Sequence, residues 1–336
     1  MRAKQLRRAR RSAVLGAVVA LAGMGLSASL TQAAGHHQRD RGFRTIDHPG
    51  AGTGPGQGTF PSGINKQGDV VGNWVDGNGY NFGYLLRDGR YSAITDPNAG
   101  TGQGQGTTPI NINSDGLVVG YYVDGTTGAY HGFILQNKQY TTIDVPCPTC
   151  GAGSGTIPQG NNDAGLIAGL FIDDGGAYHG FILDHGQYTI VDHPTSSKLA
   201  AQGTFFGSVN DHGVVAGGWH DSNNVQHAVL YRNGHYREFN DPRAGKNPGE
   251  GTVGFTVDNH GTLVGYYIKG MVTINGTATP ATHGFVMRDG RYTTVDDPKG
   301  VNSTLQAIND GGTLLGTYTD SAGATHGSLN SRGGDD

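Results

Sequence analysis

Glutamate is almost missing from this 336-residue chain, which places it only at Glu238 and Glu250. Lysine is sparse too, beside abundant Val, Ile, Thr, Tyr and Gly, so good helix formers give way to strand and turn formers. Two cysteines, Cys147 and Cys150, exclude a disulfide-dense scaffold, and a lone pair cannot complete a tetrahedral zinc site. No stripe of clustered Lys and Arg is present, which argues against a nucleic-acid partner. Gly 60 and Pro 13 are plentiful, a content that would signal disorder in an aperiodic chain. The class therefore turns on whether a period exists.

The N-terminus reads as an export signal over residues 1–34. Arg2, Lys4, Arg7, Arg8, Arg10 and Arg11 form a cationic region, Ala13 to Leu26 an apolar one, and Ala33 or Ala34 a small-residue cleavage site. That apolar run is shorter than the roughly 20 residues a membrane span needs, and no later segment could cross a bilayer. Taking the six leader cations from the 23 Lys and Arg leaves 17 against 27 Asp and Glu, a net of about −10. A soluble monomer secreted to the periplasm or the medium is expected, with no membrane contact after cleavage. Residues 35–42, with His36 and His37, read as linker and 331–336 as a disordered tail.

A period is present. "YHGFILQNKQYTTIDVP" at 130–146 returns as "YHGFILDHGQYTIVDHP" at 178–194 and "THGFVMRDGRYTTVDDP" at 282–298. Pro49, Pro97, Pro146, Pro194, Pro242 and Pro298 are spaced by 48, 49, 48, 48 and 56 residues, the mark of a propeller or solenoid. A second anchor, Ile-Asn-x-x-Gly and its variants, begins at Ile64, Ile112, Asn161, Val209, Val257 and Ile308. Each copy holds four strand-like runs linked by short Asn/Asp/Gly turns, then one longer Gly-rich crossing loop. The last copy stops at "HGSLN" without its fourth run, while an orphan "FRTID" stands at 43–47. The fold expected over 43–330 is all-β: a six-bladed β-propeller of four-stranded blades, closed by the N-terminal strand pairing in the last blade. Blades are expected near 59–95, 107–144, 156–192, 204–240, 252–296 and 303–329 plus 43–47. An open β-solenoid leaves the orphan strand unexplained.

With His-Gly-Phe, Tyr-Thr-Thr-Ile-Asp-x-Pro and Ile-Asn-x-x-Gly-x-x-x-Gly in place, the chain resembles the bacterial extracellular HAF-repeat family along essentially its whole length after the signal. It departs from the His-Ala-Phe triplet by Gly at 132, 180 and 284, by His227-Ala228-Val229, by His326-Gly327-Ser328, and by Phe82 in the first copy. The resemblance implies export and repetition, and no established reaction.

His131, His179, His227, His283 and His326 share one repeat position. Spread around a ring they stand too far apart for one metal ion, so they are read as structural, bonded by their ring nitrogens to neighbouring loop backbone and locking blade to blade. Phe82 in the same slot supports packing. Asn-x-Asp-Gly turns such as Asn113 to Gly116 lack the acid that would complete a calcium loop, and Asp76, Asp124, Asp173, Asp221 and Asp320 suit Asx turns. Cys147 and Cys150 suit a small disulfide in one crossing loop. The ligand-binding candidates are Thr59, Thr107, Thr156, Thr204, Thr252 and Ser303, ringing one channel mouth near Trp74, Tyr122 and Trp219. Two segments, "KGMVTINGTATPA" from Lys269 and "CPTCGAGSG" from Cys147, are least constrained by the template. No catalytic residue, metal site or cofactor is expected. The function expected is a noncatalytic binding module for extracellular carbohydrate or a cell-surface partner; the alternatives are a polysaccharide hydrolase or lyase and a purely structural envelope protein.

Overall fold

The computed structural model describes residues 42–147 and 151–331. The signal, the linker up to residue 41, Cys150 and the tail from 332 lie outside the described residues. Among those described there is no helix. The first strand is β1 (Phe43–Thr45). Unit one follows as β2 (Gly58–Ile64), β3 (Val70–Val75), β4 (Asn81–Arg87) and β5 (Arg90–Ile94); unit two as β6 (Gly106–Ile112), β7 (Val118–Val123), β8 (Tyr130–Gln136) and β9 (Gln139–Ile143). Unit three comprises β10 (Gly155–Asn161), β11 (Ile167–Ile172), β12 (Tyr178–Asp184) and β13 (Gln187–Ile190); unit four comprises β14 (Thr204–Val209), β15 (Val215–His220), β16 (Gln226–Arg232) and β17 (His235–Phe239). Unit five is β18 (Gly251–Val257), β19 (Leu263–Ile274), β20 (Thr277–Arg288) and β21 (Arg291–Thr294), and unit six is β22 (Asn302–Ile308), β23 (Leu314–Thr319) and β24 (Thr325–Asn330).

These strands form three eight-stranded sheets. Strands consecutive within a unit are antiparallel, and two units fuse into one sheet through a single parallel contact: Gly58 with Thr325, Tyr130 with Gly155, or Gln226 with Gly251. Glycine is required there. Gly58, Gly155 and Gly251 hold φ of 126°, 127° and 126°, and a Cβ on each would meet the partner carbonyl at 1.9, 2.0 and 2.1 Å. The orphan strand lies where its sequence places it: β1 pairs antiparallel with β24, Phe43 opposite Asn330 and Thr45 opposite Ser328. First and last units are thus hydrogen-bonded neighbours, and the open solenoid is excluded.

Packing follows the same period. Buried clusters join each unit to the next, as where Val71 and Ile94 of unit one meet Phe133 of unit two, and Ile64 and Tyr84 of unit one meet Leu315 of unit six. Phe133, Phe181 and Phe285 are wholly buried, so truncating any of them to Ala should cost about 3–5 kcal/mol. The ends of all six first strands line one cavity of about 90 Å³, which makes those strands the innermost. Around it the amides of Asn65, Asn113, Asn162, Asn210 and Asn309 each donate to the backbone carbonyl of the next unit's equivalent residue, at 2.9–3.3 Å. The sixth position is Asp258, which has no amide to give.

Candidate ligand-binding site

Four of the five repeat histidines make a hydrogen-bonded joint, but it differs from the one expected; His227, with Asn240 rather than Asp thirteen positions on, has no hydrogen-bond partner at Nδ1. His131, His179 and His283 donate from Nδ1 to Asp144, Asp192 and Asp296 of their own units at 2.7–2.8 Å, and His326 donates likewise to Asp47. Their partners are therefore carboxylates rather than loop backbone, and the lock ties the third strand to the end of the fourth instead of blade to blade. Each imidazole also stacks on the aromatic residue opposite it, as His131 does on Tyr122, His227 on Trp219 and His326 on Tyr318, with centroids 4.5–5.1 Å apart. In unit one Phe82 stacks on Trp74 in the same slot. The carboxylate was legible and missed: an Asp stands thirteen positions after His131, His179 and His283, and unit one, lacking the His, has Thr95 there.

The environment moves two of these imidazoles upward. The hydrogen bond to Asp192 raises His179 above its ordinary pKa, while for His326 burial pulls downward and is outweighed by the bonds to Asp47 and Asp320. His48, His193 and His220, by contrast, are lowered by burial. The Asx turns are as expected: Asp76, Asp173 and Asp320 accept from backbone amides two to four residues ahead, and Asn113 does the same for Asp115 and Leu117. Cys147 is disulfide-bonded; Cys150, the chain's other cysteine, lies outside the described residues.

The hydroxyl ring divides: its five threonines are buried and line no ligand cavity, whereas Ser303 lines the one described below. Thr59, Thr107, Thr156, Thr204 and Thr252 are at most 2 % exposed. Their oxygens accept the backbone N–H of His48, Asp96, Val145, His193 and Asp241, the residue before each repeat proline, at 2.8–2.9 Å. These hydroxyls pin each crossing loop to the unit it enters, and their burial withholds them from a ligand. Ser303 does the same for Asp297 N–H. Trp74 and Trp219 are covered on both faces, by His48 and Phe82 and by His193 and His227, so neither offers a ring face to a sugar.

The space for a ligand lies beside Ser303 instead. A cavity of about 430 Å³ opens at the end where the innermost strands begin, lined chiefly by units five and six with Pro55 and Phe60 of unit one and Gln226 of unit four. Its roof is the hairpin from Lys269 that stood out from the template. β19 and β20 run twelve residues each, turn through Asn275-Gly276 with both φ positive, and rest on unit six through Asn275 N–H to Ser321 O at 3.2 Å. Glu250 secures the base by accepting from Gly270 N–H at 2.7 Å. Small residues on unit six make the room: Thr304 and Thr317 are paired across strands where units three and five pair Ile157 with Leu170 and Val253 with Tyr266.

The lining is apolar in body and polar at chosen points. Tyr266, Ile268 and Ile274 supply unit five's surface, while Thr319 and Thr325 stand on unit six. Among the described residues, the side chains of Gln226, Tyr266, Thr319 and Thr325 make no hydrogen bond, although Gln226 is 6 % exposed and Tyr266 9 %. These polar groups line the cavity, where an occupant would meet them. Burial drives the Tyr266 hydroxyl well above its ordinary pKa, so it stays protonated as a donor. The 56-residue spacing between Pro242 and Pro298 was the sequence signal for this extra hairpin.

No family model and no curated relative matches the chain. Among solved structures it is similar to a mutant of AofleA from Arthrobotrys oligospora, at 12 % identity over 87 % of this chain and 88 % of that one with a TM-score of 0.49. It is also similar to TolB from Acinetobacter baumannii, at 12 % identity over 80 % and 64 % with a TM-score of 0.48. A mutant Aleuria aurantia lectin in complex with Fucα1-6GlcNAc is similar at 10 % identity over 82 % and 97 % with a TM-score of 0.46. At this level of likeness no function transfers.

Proposed function

We propose that this chain is an exported HAF-repeat protein, folded as a six-bladed β-propeller, that acts as a noncatalytic binding module for extracellular carbohydrate. The six antiparallel runs, the pairing of β1 with β24 and the axial ring of asparagine bonds support the propeller. The cationic and apolar segments of 1–34 support export. The observation that carries the binding reading is the 430 Å³ cavity beneath the β19–β20 hairpin, lined wholly by uncharged residues. Its size is toward the lower end of the roughly 300–1,000 Å³ of small-molecule sites, which suits one or two sugar rings. Its lining carries amides, hydroxyls and carbon, the groups that hold a saccharide, and no carboxylate or imidazole to act as acid or base on it.

A glycan array probed with the purified mature chain tests the reading. Binding to a restricted set of glycans, lost when residues 270–280 are replaced by the short turn of unit three, is the expected result. Binding to no glycan at all would falsify it.

A further inference from the structure

Resting on that binding reading, we infer that the pocket is selective for electrically neutral saccharides that carry an apolar face, and that Gln226, Tyr266, Thr319 and Thr325 are its specificity-determining groups. Every residue lining the cavity is uncharged: the set consists of Thr, Ser, Asn, Gln, Pro, Gly, Ile, Phe and Tyr. Tyr266 is the one ionisable side chain among them, and its burial keeps it protonated. A uronate or sialate carboxylate entering here would shed water against a wall with no cation to receive it, and a protonated amino sugar would find no carboxylate. Burying an unpaired charge costs several kcal/mol, more than one or two neutral hydrogen bonds return. The mature chain's net of about −10 adds a long-range bias against anions.

Hydroxyls are received differently. Gln226 brings a donor and an acceptor, and Tyr266, Thr319 and Thr325 bring hydroxyls that can both donate and accept. A hydroxyl-bearing ligand pairs with these without leaving any group charged and unmatched. Ile268, Ile274, Phe60 and Pro55 meanwhile present carbon to the cavity. A fully hydrophilic ligand would leave that surface wet, whereas a saccharide with a C–H face or an alkyl or aryl aglycone covers it.

The test is calorimetric titration of the full mature chain with neutral methyl and aryl hexosides, hexuronic acids and hexosamines, at about 20 mM and about 500 mM NaCl. Neutral glycosides should bind, aryl forms more tightly than methyl, with Kd changing less than about twofold between the two salts, and the charged sugars should bind at least about tenfold more weakly. Thr319→Val with Thr325→Val should weaken neutral binding about tenfold, the loss of two ordinary hydrogen bonds, and Gln226→Lys should turn preference toward the uronic acids. Circular dichroism and thermal melting confirm that each variant is folded. Equal or tighter binding of the charged sugars, or neutral binding that folded pocket variants leave untouched, overturns the inference while the binding-module reading stands. Binding of no sugar in any class overturns that reading as well.

Discussion

His326 donates from Nδ1 to Asp47 at 2.8 Å across 279 positions of sequence. The pair stands where His131 and Asp144 stand within a single hairpin of unit two, so the chain reproduces a local contact by joining its two ends. Asp47 Oδ1 also accepts from Gly327 N–H at 3.2 Å, and Ile46 N–H donates to Gly327 O at 2.9 Å.

Removing that end should therefore do more than shorten the chain. Deletion through Asp47 strips β24 of its neighbour and leaves an unpaired edge at Ser328 to Asn330. The expected outcome is a melting temperature lower by more than about 5 °C, with concentration-dependent association by edge pairing. Asp47→Ala, which keeps the strand, should cost only about 1 kcal/mol because the pair is partly exposed to water. Thermal melting and light scattering over a concentration series measure both. A monomeric deletion mutant as stable as the parent would show that the closure is dispensable.

The raised pKa of His179 and of His326 has a defined sign in stability. A histidine whose folded pKa exceeds its unfolded value binds its proton more tightly when folded. Its contribution is complete below the unfolded value of about 6.5 and is lost as pH climbs through the raised folded value. His48, His193 and His220 are lowered and act in the opposite sense, but they are common to parent and variant and cancel in the comparison. The parent's advantage over His179→Gln or His326→Gln should be larger at about pH 5.5 than at about pH 8.5. Urea titrations at the two pH values check this, and an advantage independent of pH would show that stacking alone is at work.

Asp258 interrupts the axial ring of asparagines. Its Oδ1 accepts from His260 N–H and Thr262 N–H, as Asn309 Oδ1 accepts from Thr313 N–H, but Asn309 also donates its amide to Asn65 O at 3.0 Å. The Asp258 carboxylate is 5 % exposed and makes no ion pair among the described residues. Asp258→Asn keeps the two accepted bonds, adds a donor toward the carbonyl of Asn309 and removes a buried charge. A gain of about 1 kcal/mol is expected, read as a melting temperature higher by about 2 °C. Asn210→Asp should do the reverse, and an unchanged or lower melting point for Asp258→Asn would mean that the carboxylate is stabilised by something other than this ring.

Much of the architecture was legible because the fold is a repetition and repetition is written in the chain. The proline spacing, the Ile-Asn-x-x-Gly anchors and the split final copy fixed the units and the β1–β24 pairing, since each rests on local turn chemistry and period-two strands. The site was legible only as a departure from the template. The stretch from Lys269 stood out, yet nothing local says that it folds over unit six, because the contact of Asn275 with Ser321 is a matter of tertiary approach. The threonines misled for a related reason: Thr59, Thr107, Thr156, Thr204 and Thr252 looked like a mouth ring in strand order, but each of these five hydroxyls is drawn to the amide eleven residues earlier on the incoming loop.

Unit one tests whether the histidine and its aspartate form one device. It has lost both members, with Phe82 in the histidine slot and Thr95 in the aspartate slot, and Phe82 is 41 % exposed where it stacks on Trp74. If the pair acts as a unit, neither partner restores it alone. Phe82→His by itself loses apolar contact with Trp74 and gains no carboxylate, and Thr95→Asp by itself adds a charge beside an aromatic ring. Each single change should be neutral or destabilising by up to about 1 kcal/mol, while the double change should recover about 1 kcal/mol beyond their sum. That coupling should fade from about pH 5.5 to about pH 8.5 if the new carboxylate raises the pKa of the restored imidazole as Asp192 raises that of His179. A double-mutant cycle by urea unfolding at the two pH values measures it. Strict additivity would mean that the stack on Trp74 is the device and the carboxylate an accessory to it.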